Sequence, residues 1–149
     1  MALDLRAKLK EELTRYRNRD FLKAMMAVCA LTALADGELR ITEKYEVERI
    51  LETTAAFRVF DPRKAVEIFD EYVFALREED RGKALKVLNN KIGRFALDYK
   101  ASRTLLRGAY LVIAADDEIT EAELAEFNRI ALLLEHHPQT FWETKDRWV

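Results

Sequence analysis

Apolar positions recur with a helical period along nearly the whole chain. From Ala2 to Tyr16, Leu5, Leu9, Leu13 and Tyr16 fall at i, i+4, i+8 and i+11, one stripe of an amphipathic helix. Asp20 is an expected N-cap for a second segment, Phe21 to Ala35, because its carboxylate can accept from the unpaired N–H groups of a helix start. That segment is apolar on almost every face (Phe21, Leu22, Met25, Met26, Val28, Cys29, Leu31, Leu34), the mark of a helix at the centre of a core. Gly37 follows as an expected C-cap. A third helix is predicted from Ile41 or Thr42 to Phe57, with Tyr45, Ile50, Leu51 and Ala55 inward. Asp61-Pro62 opens a fourth, carrying Ala65, Val66, Ile68, Phe69, Tyr72, Val73 and Leu76. Asp80 opens a fifth with Leu85, Leu88, Ile92 and Phe95, and Asp98 a sixth from Tyr99 to Ala115. Gly108 inside the sixth costs about 1 kcal/mol relative to alanine, so a close helix approach is expected there. The seventh runs from Glu121 to about Glu135 and stops before Pro138. The pattern predicts an all-α bundle of about seven helices.

Composition narrows the class. With 149 residues, half of them apolar and 35% charged, the chain suits one globular core rather than a disordered polymer. Four glycines and two prolines are too few for the turns of a β-sandwich. A single cysteine, Cys29, sits in an apolar run and is expected in the core as an inert thiol. No apolar stretch reaches the roughly 18 residues of a membrane span, and Met1 to Arg19 lacks the apolar centre of a secretory signal. A cytoplasmic protein is expected.

The chain also matches itself. Ala35-Asp36-Gly37-Glu38-Leu39, continuing to Ile50, aligns without gaps to Ala115-Asp116-Asp117-Glu118-Ile119, continuing to Ile130, with seven of sixteen positions identical. Glu43 matches Glu123 and Glu46 matches Glu126. Each copy follows an apolar helix and precedes an amphipathic one, which predicts two helix–loop–helix halves in a pseudo-twofold arrangement. At these residues the chain resembles the TerB-like tellurite-resistance family, over about Phe21 to Leu134. Arg40 departs from that family's capping Ser/Thr, and Asp117 from its glycine. The resemblance implies a single TerB-like helical domain over 1–149, with an N-terminal amphipathic helix at 1–19 and a C-terminal tail at 138–149. It also implies a role in tellurite and envelope stress, with divalent cations at the acidic loops and stress-response or membrane-associated proteins as partners.

Asp36 and Asp116 stand just beyond helix C-termini, where exposed carbonyls repel a carboxylate unless a positive group is near. Carboxylate and carbonyl oxygens are the hard ligands that Ca²⁺ and Mg²⁺ take. Asp36, Glu43, Asp116 and Glu123 are therefore the candidate metal ligands, with Glu38, Asp117 and Glu118 as second choices. An EF-hand is rejected, because Thr32 and Leu34, then Val112 and Ala114, stand where its early carboxylates are required. A structural reading stays open beside this one. Thr120-x-x-Glu123 is a capping box, and Gly37 serves as a C-cap whether or not an ion binds.

Charge is segregated, although the net charge is only −2. The stretch Arg81 to Ala109 carries a net +7 and Tyr110 to Val149 a net −6. Lys100, Arg103 and Arg107 form a basic stripe, with Lys83, Lys86, Lys91 and Arg94 nearby in sequence. Such a face suits an acidic protein, a phosphorylated ligand or anionic lipid at the inner face of the membrane. Nucleic acid is not expected, since no recognition motif occurs and the pI is about 5.8. No phosphate loop, zinc spacing or serine elbow is present, so no enzyme and no organic cofactor is expected. His136 and His137 are adjacent, diverge by about 100° on a helix, and are expected at the surface. Phe141, Trp142 and Trp148 are expected to dock the tail on the bundle.

Overall fold

The computed structural model describes residues 2–147, with the side chains of 2, 3, 12, 13, 15 and 16 outside that description. It is all-helical: α1 (Ala2–Ala33), α2 (Ile41–Thr53), α3 (Pro62–Glu78), α4 (Arg81–Gly93), α5 (Tyr99–Ile113), α6 (Glu121–Leu133) and α7 (Pro138–Thr144), with short 3₁₀ turns at Ala55–Phe57 and Lys145–Arg147. Among the described residues, no helix is long and apolar enough to cross a membrane.

The main difference from expectation is at the N-terminus. The first two predicted helices are one, about 48 Å long at 1.5 Å per residue. Asp20 is an exposed residue within it rather than an N-cap. A cap works only where the backbone leaves helical angles, and Arg17-Asn18-Arg19 offers no glycine or proline to force it out. The two halves still behave as differently as their patterns demand. Residues 4–11 are exposed, with Leu5 and Leu9 at 69% and 57%, whereas Phe21, Leu22 and the stretch Ala24 to Leu34 are buried throughout. The side chains of Leu13 and Tyr16 lie outside the described residues.

The apolar half of α1 is the axis of the molecule. α3, α4, α5 and α6 all pack against it, so each of its faces finds a partner. Burying one Val, Leu, Ile, Phe or Met side chain contributes about 1.5–3 kcal/mol, and this segment buries seven such residues in Phe21, Leu22, Met25, Met26, Val28, Leu31 and Leu34. The starts of α3, α4 and α5 are capped as expected: Asp61, Asp80 and Asp98 accept from the N–H groups of Arg63, Lys83 and Ala101. α2 ends at Thr53, short of the predicted Phe57, and the chain tightens into the 3₁₀ turn that buries Phe57. Tyr45, expected inward, is 57% exposed, and Ala55 is exposed as well. α2 packs chiefly on α5 and α3, with a smaller contact to α1, and Val47, Ile50 and Leu51 are its buried apolar residues.

The expected C-terminal tail contains α7. Its Phe141 is buried against Phe127, with ring centroids 4.7 Å apart, and Trp142 Nε1 donates to Asn128 Oδ1 at 3.1 Å. Trp148 lies outside the described residues. A left-handed residue turns the chain from α6 into α7. Glu135 has φ +60°, its N–H donates to the Leu132 carbonyl, and the His136 N–H reaches back to that of Ala131. That is the hydrogen-bond pattern of a Schellman ending, built here without glycine. A surface placement was expected for both histidines, but the turn leaves His136 half-buried. Its Nε2 lies 2.6 Å from Oγ of the buried Ser102, and burial together with the Arg103 charge lowers its pKa. His137 is exposed.

Gly108 does mark a close approach. A Cβ there would lie 2.4 Å from Met25 Sδ, where α5 crosses α1. Alanine would gain about 1 kcal/mol of helix propensity, but overpacking costs about 1–3 kcal/mol. Gly108→Ala is thus expected to lower stability in urea denaturation, and the loss should shrink in a Met25→Ala background, where the methyl has room. A Gly108→Ala chain more stable than the parent would contradict this account of the crossing.

Candidate functional site

The two repeated loops follow α1 and α5, and both apolar helices deliver them to one end of the bundle. Each repeat's second helix packs on the other repeat's first, α2 on α5 and α6 on α1, which brings the acidic turns together. The matched residues share environments. Glu38 and Glu118 are exposed, Asp36 and Asp116 half-buried, and Glu43, Glu123, Ile50 and Ile130 buried. Both repeats also contain an i, i+3 ion pair, Glu46–Arg49 and Glu126–Arg129.

The loops begin alike and then part. The N–H of Ala35 donates to the Thr32 carbonyl, and that of Ala115 to Val112, both at 3.3 Å. Gly37 then takes φ +88°, a left-handed angle that favours glycine, whereas its counterpart Asp117 keeps an ordinary angle. The second loop thus manages without a glycine by following a different path. Asp117 is exposed, like Glu38 and Glu118.

Arg40 joins the two loops. Its Nη2 pairs with Asp36 Oδ2 at 3.2 Å, and its Nη1 donates to Asp116 Oδ2 at 2.8 Å. The Thr42 hydroxyl donates to the other oxygen of Asp116 at 2.6 Å. Asp36 Oδ1 accepts from the N–H of Glu38 at 3.1 Å, which closes the first turn. The positive group that two carboxylates near helix C-termini require is therefore supplied by the chain itself. Electrostatics follow the same contacts. The Thr42 and Arg40 bonds hold Asp116 below the usual aspartate range, and Asp116 and Asp36 reinforce the charge on Arg40.

Beneath this bridge lie Glu43 and Glu123, each 1% exposed. Glu123 Oε1 accepts from the N–H of Thr120 and the Thr120 hydroxyl accepts from the N–H of Glu123, a complete capping box. Glu43 makes only the first of these bonds, to the N–H of Arg40 at 3.0 Å, because arginine has no acceptor to return. Burial pushes the Glu43 carboxyl up from 4.5 to about 7, against the Arg40 bond, and the Glu123 charge adds to the rise, as do Asp36 and Asp116. Among the described residues, no group of three or more His, Cys, Asp or Glu side chains is arranged to hold a metal ion. The four candidate ligands are thus brought to one end of the molecule, but the space between Asp36 and Asp116 holds a guanidinium. Arg40 and Thr42 are the site residues that sequence reasoning did not single out. The available signal was that Arg40 is the only basic residue between the first loop's aspartate and Glu43.

The basic residues are less concentrated than their sequence spacing suggests. Lys83, Lys86 and Lys91 ride on α4, which packs on α1, α3 and α6 and not on α5, while Lys100, Arg103 and Arg107 ride on α5. Lys100 and Arg107 are exposed, whereas Arg103 reaches the Arg147 carbonyl and lies over the Tyr99 ring. The Cys29 thiol is buried, and burial pushes its pKa to about 12, so it takes no part in chemistry at the loops.

The family model of Tellurite resistance protein TerB matches residues 22–146. The chain belongs to the TerB family. Among curated TerB proteins, it is 31% identical over 68 residues to a Tellurium resistance protein TerB from Alcaligenes sp, a match covering 46% of this chain and 56% of that relative. No solved structure matches the chain. The TerB match begins one residue after Phe21, so it takes in the buried half of α1 and both acidic loops and leaves the exposed half of α1 outside.

Glu43 makes stability depend on pH in a stated direction. A carboxyl whose pKa is higher in the folded than in the unfolded chain favours folding while protonated, and that contribution is lost as pH rises from 4.5 to about 7. The interval corresponds to at most about 3 kcal/mol. Glu43→Gln keeps an acceptor for the Arg40 N–H and removes the titration. Urea denaturation at pH 5 and pH 8 should show the variant gaining on the parent at the higher pH. Equal changes in both proteins would contradict the assignment.

Proposed function

We propose that this chain acts in tellurite resistance as a non-enzymatic cation-binding and docking module, and that the paired acidic loops are its working site. The observation that carries the reading is the Arg40 bridge: one positive group is shared by Asp36 and Asp116 from the two repeats. A site that accepts a guanidinium between two carboxylates suits a hard divalent cation such as Ca²⁺ or Mg²⁺ once that guanidinium withdraws. Arg40 is 36% exposed and can leave into solvent without breaking the core. Asp36 and Asp116 would then be the primary ligands, with Glu43 and Glu123 held below by the N–H groups of the helix starts. The protein supplies orientation and charge, and a bound ion would tie the loops as Arg40 ties them now.

Competition between Arg40 and metal gives the test. Arg40→Ser leaves a capping hydroxyl and removes the resident cation. Thermal-shift titration with Ca²⁺, Mg²⁺, Mn²⁺ and Zn²⁺ should give a small rise in melting temperature for the parent and tighter binding, by roughly tenfold or more, for Arg40→Ser. An ion at 100 times its Kd adds about 2.7 kcal/mol of stability, well within detection. Asp36→Asn with Asp116→Asn should abolish the response. No shift in Arg40→Ser at millimolar metal would remove the ion from this reading.

A second reading rests on the exposure of Lys100 and Arg107 along α5. On it, the protein docks on anionic surfaces without metal, at an acidic protein or the inner face of the membrane. Co-sedimentation with phosphatidylglycerol vesicles should then weaken when Lys100, Arg103 and Arg107 are all changed to Glu. Retention of vesicle binding by that triple variant would discard the basic face.

A further inference from the structure

The turn from α4 into α5 presents apolar side chains that the bundle does not use. Its backbone is regularly bonded: the N–H of Ala96 donates to the Gly93 carbonyl and that of Asp98 to the Phe95 carbonyl, both at 3.1 Å. Phe95 is buried against Phe21, with ring centroids 5.4 Å apart, and fixes the turn to the core. Leu97 then stands outward, 92% exposed, and Tyr99 is 64% exposed. One exposed leucine is ordinary at a protein surface. This one differs in its neighbours, which are mostly cationic. Arg94, the C-cap of α4, and Lys100 flank it in the chain and are exposed. Arg103 lies over the Tyr99 ring, and Arg17 of α1 pairs with Asp98. Burial lowers the Lys91 pKa, and the nearby charges of Lys23 and Arg94 lower it further. Fewer acids stand close: Asp98, which Arg17 offsets, Asp20 near Lys91, and Glu135 across the adjoining cleft. Other exposed apolar side chains keep acidic company. Phe74 stands among Glu67, Asp70, Glu71 and Glu79, and Ile41 adjoins the loops of Asp36 and Asp116.

We propose that this turn is a membrane-docking tip, with Leu97 and Tyr99 entering the headgroup layer of an anionic bilayer and the surrounding lysines and arginines pairing with its phosphates. The proposal rests on the reading of α5 as a face for anionic surfaces, and it supplies the apolar contact which that reading lacks. Charge alone gives a weak attraction that salt screens. A leucine beside a tyrosine adds apolar burial, and tyrosine suits the boundary because its ring is apolar and its hydroxyl stays wet. A side chain as exposed as Leu97 protrudes, and a fluid bilayer covers it without the shaped pocket that a folded acidic protein would need. The acidic loops do not oppose this docking. They lie at the other end of α5, whose fifteen residues span about 22 Å, so the anionic surface meets the basic end of the helix.

Site-specific labelling of the full chain tests this. Cys29 is buried and its pKa is pushed up to about 12, so an added surface cysteine takes a thiol-reactive, polarity-sensitive dye selectively. The dye on Leu97→Cys should shift to the blue on phosphatidylglycerol vesicles and stay unshifted on phosphatidylcholine vesicles. On Ile41→Cys it should stay unshifted on both. In co-sedimentation, unlabelled Leu97→Glu should bind phosphatidylglycerol vesicles roughly tenfold more weakly, with an unchanged melting temperature. Arg94→Ala and Lys100→Ala should each weaken binding about fivefold. A parent that sediments with phosphatidylglycerol while the dye at position 97 stays in water would overturn the tip and leave the basic face standing. So would a Leu97→Glu chain that binds as the parent does, or equal binding to the two lipids. A parent that sediments with neither lipid would overturn the tip and the membrane half of the basic-face reading together, and would leave the surface to an acidic protein.

Discussion

The second half of α1 is apolar on all sides, and no helix of that kind is stable until every face is covered. That one requirement organises the molecule. α3, α4, α5 and α6 close around it, and α5 approaches closely where Gly108 lets the Met25 side chain lie against its backbone. Because the buried half of α1 packs on α5 at the centre, the turns that leave these two helices emerge at one end. Those turns carry the acids. The site is thus a consequence of the core rather than an addition to it.

What the ends of two such helices share is negative charge, from backbone carbonyls and from carboxylates alike. Arg40 resolves this by spanning both turns, and Thr42 completes the coordination of Asp116. The partly exposed ion pairs are individually weak at a surface. Their importance is geometric, since they fix one loop against the other and set the space in which a cation would compete. Glu43 and Glu123 lie below, oriented by N-terminal N–H groups, and the missing half of the first capping box is the local cost of placing arginine at that position.

Much of this was legible along the chain. The helices from α3 to α6, the caps at Asp61, Asp80 and Asp98, and the close approach at Gly108 follow from local pattern, because each depends on residues within a turn or two. The duplication of the loops was visible as a self-match, and the matched acids of the two copies share their burial, exposed at Glu38 and Glu118 and buried at Glu43 and Glu123. Asp20 starts no helix, because a capping residue signals a helix start only where the preceding helix would otherwise stop. His136 is half-buried rather than fully exposed, because its direction is set by the left-handed turn at Glu135, a glutamate where glycine is the usual sign.

The sequence by itself determined that the protein is all-helical, that an apolar helix lies at its centre, and that two acidic turns repeat, since periodicity and self-similarity are properties of neighbouring residues. Only the tertiary structure decided that the turns meet, that Arg40 reaches an aspartate 76 positions away, and that the two capping glutamates end up buried, with the Glu123 charge acting on Glu43. Those relations depend on how helices cross, and crossing angles are set by side chains far apart in the chain.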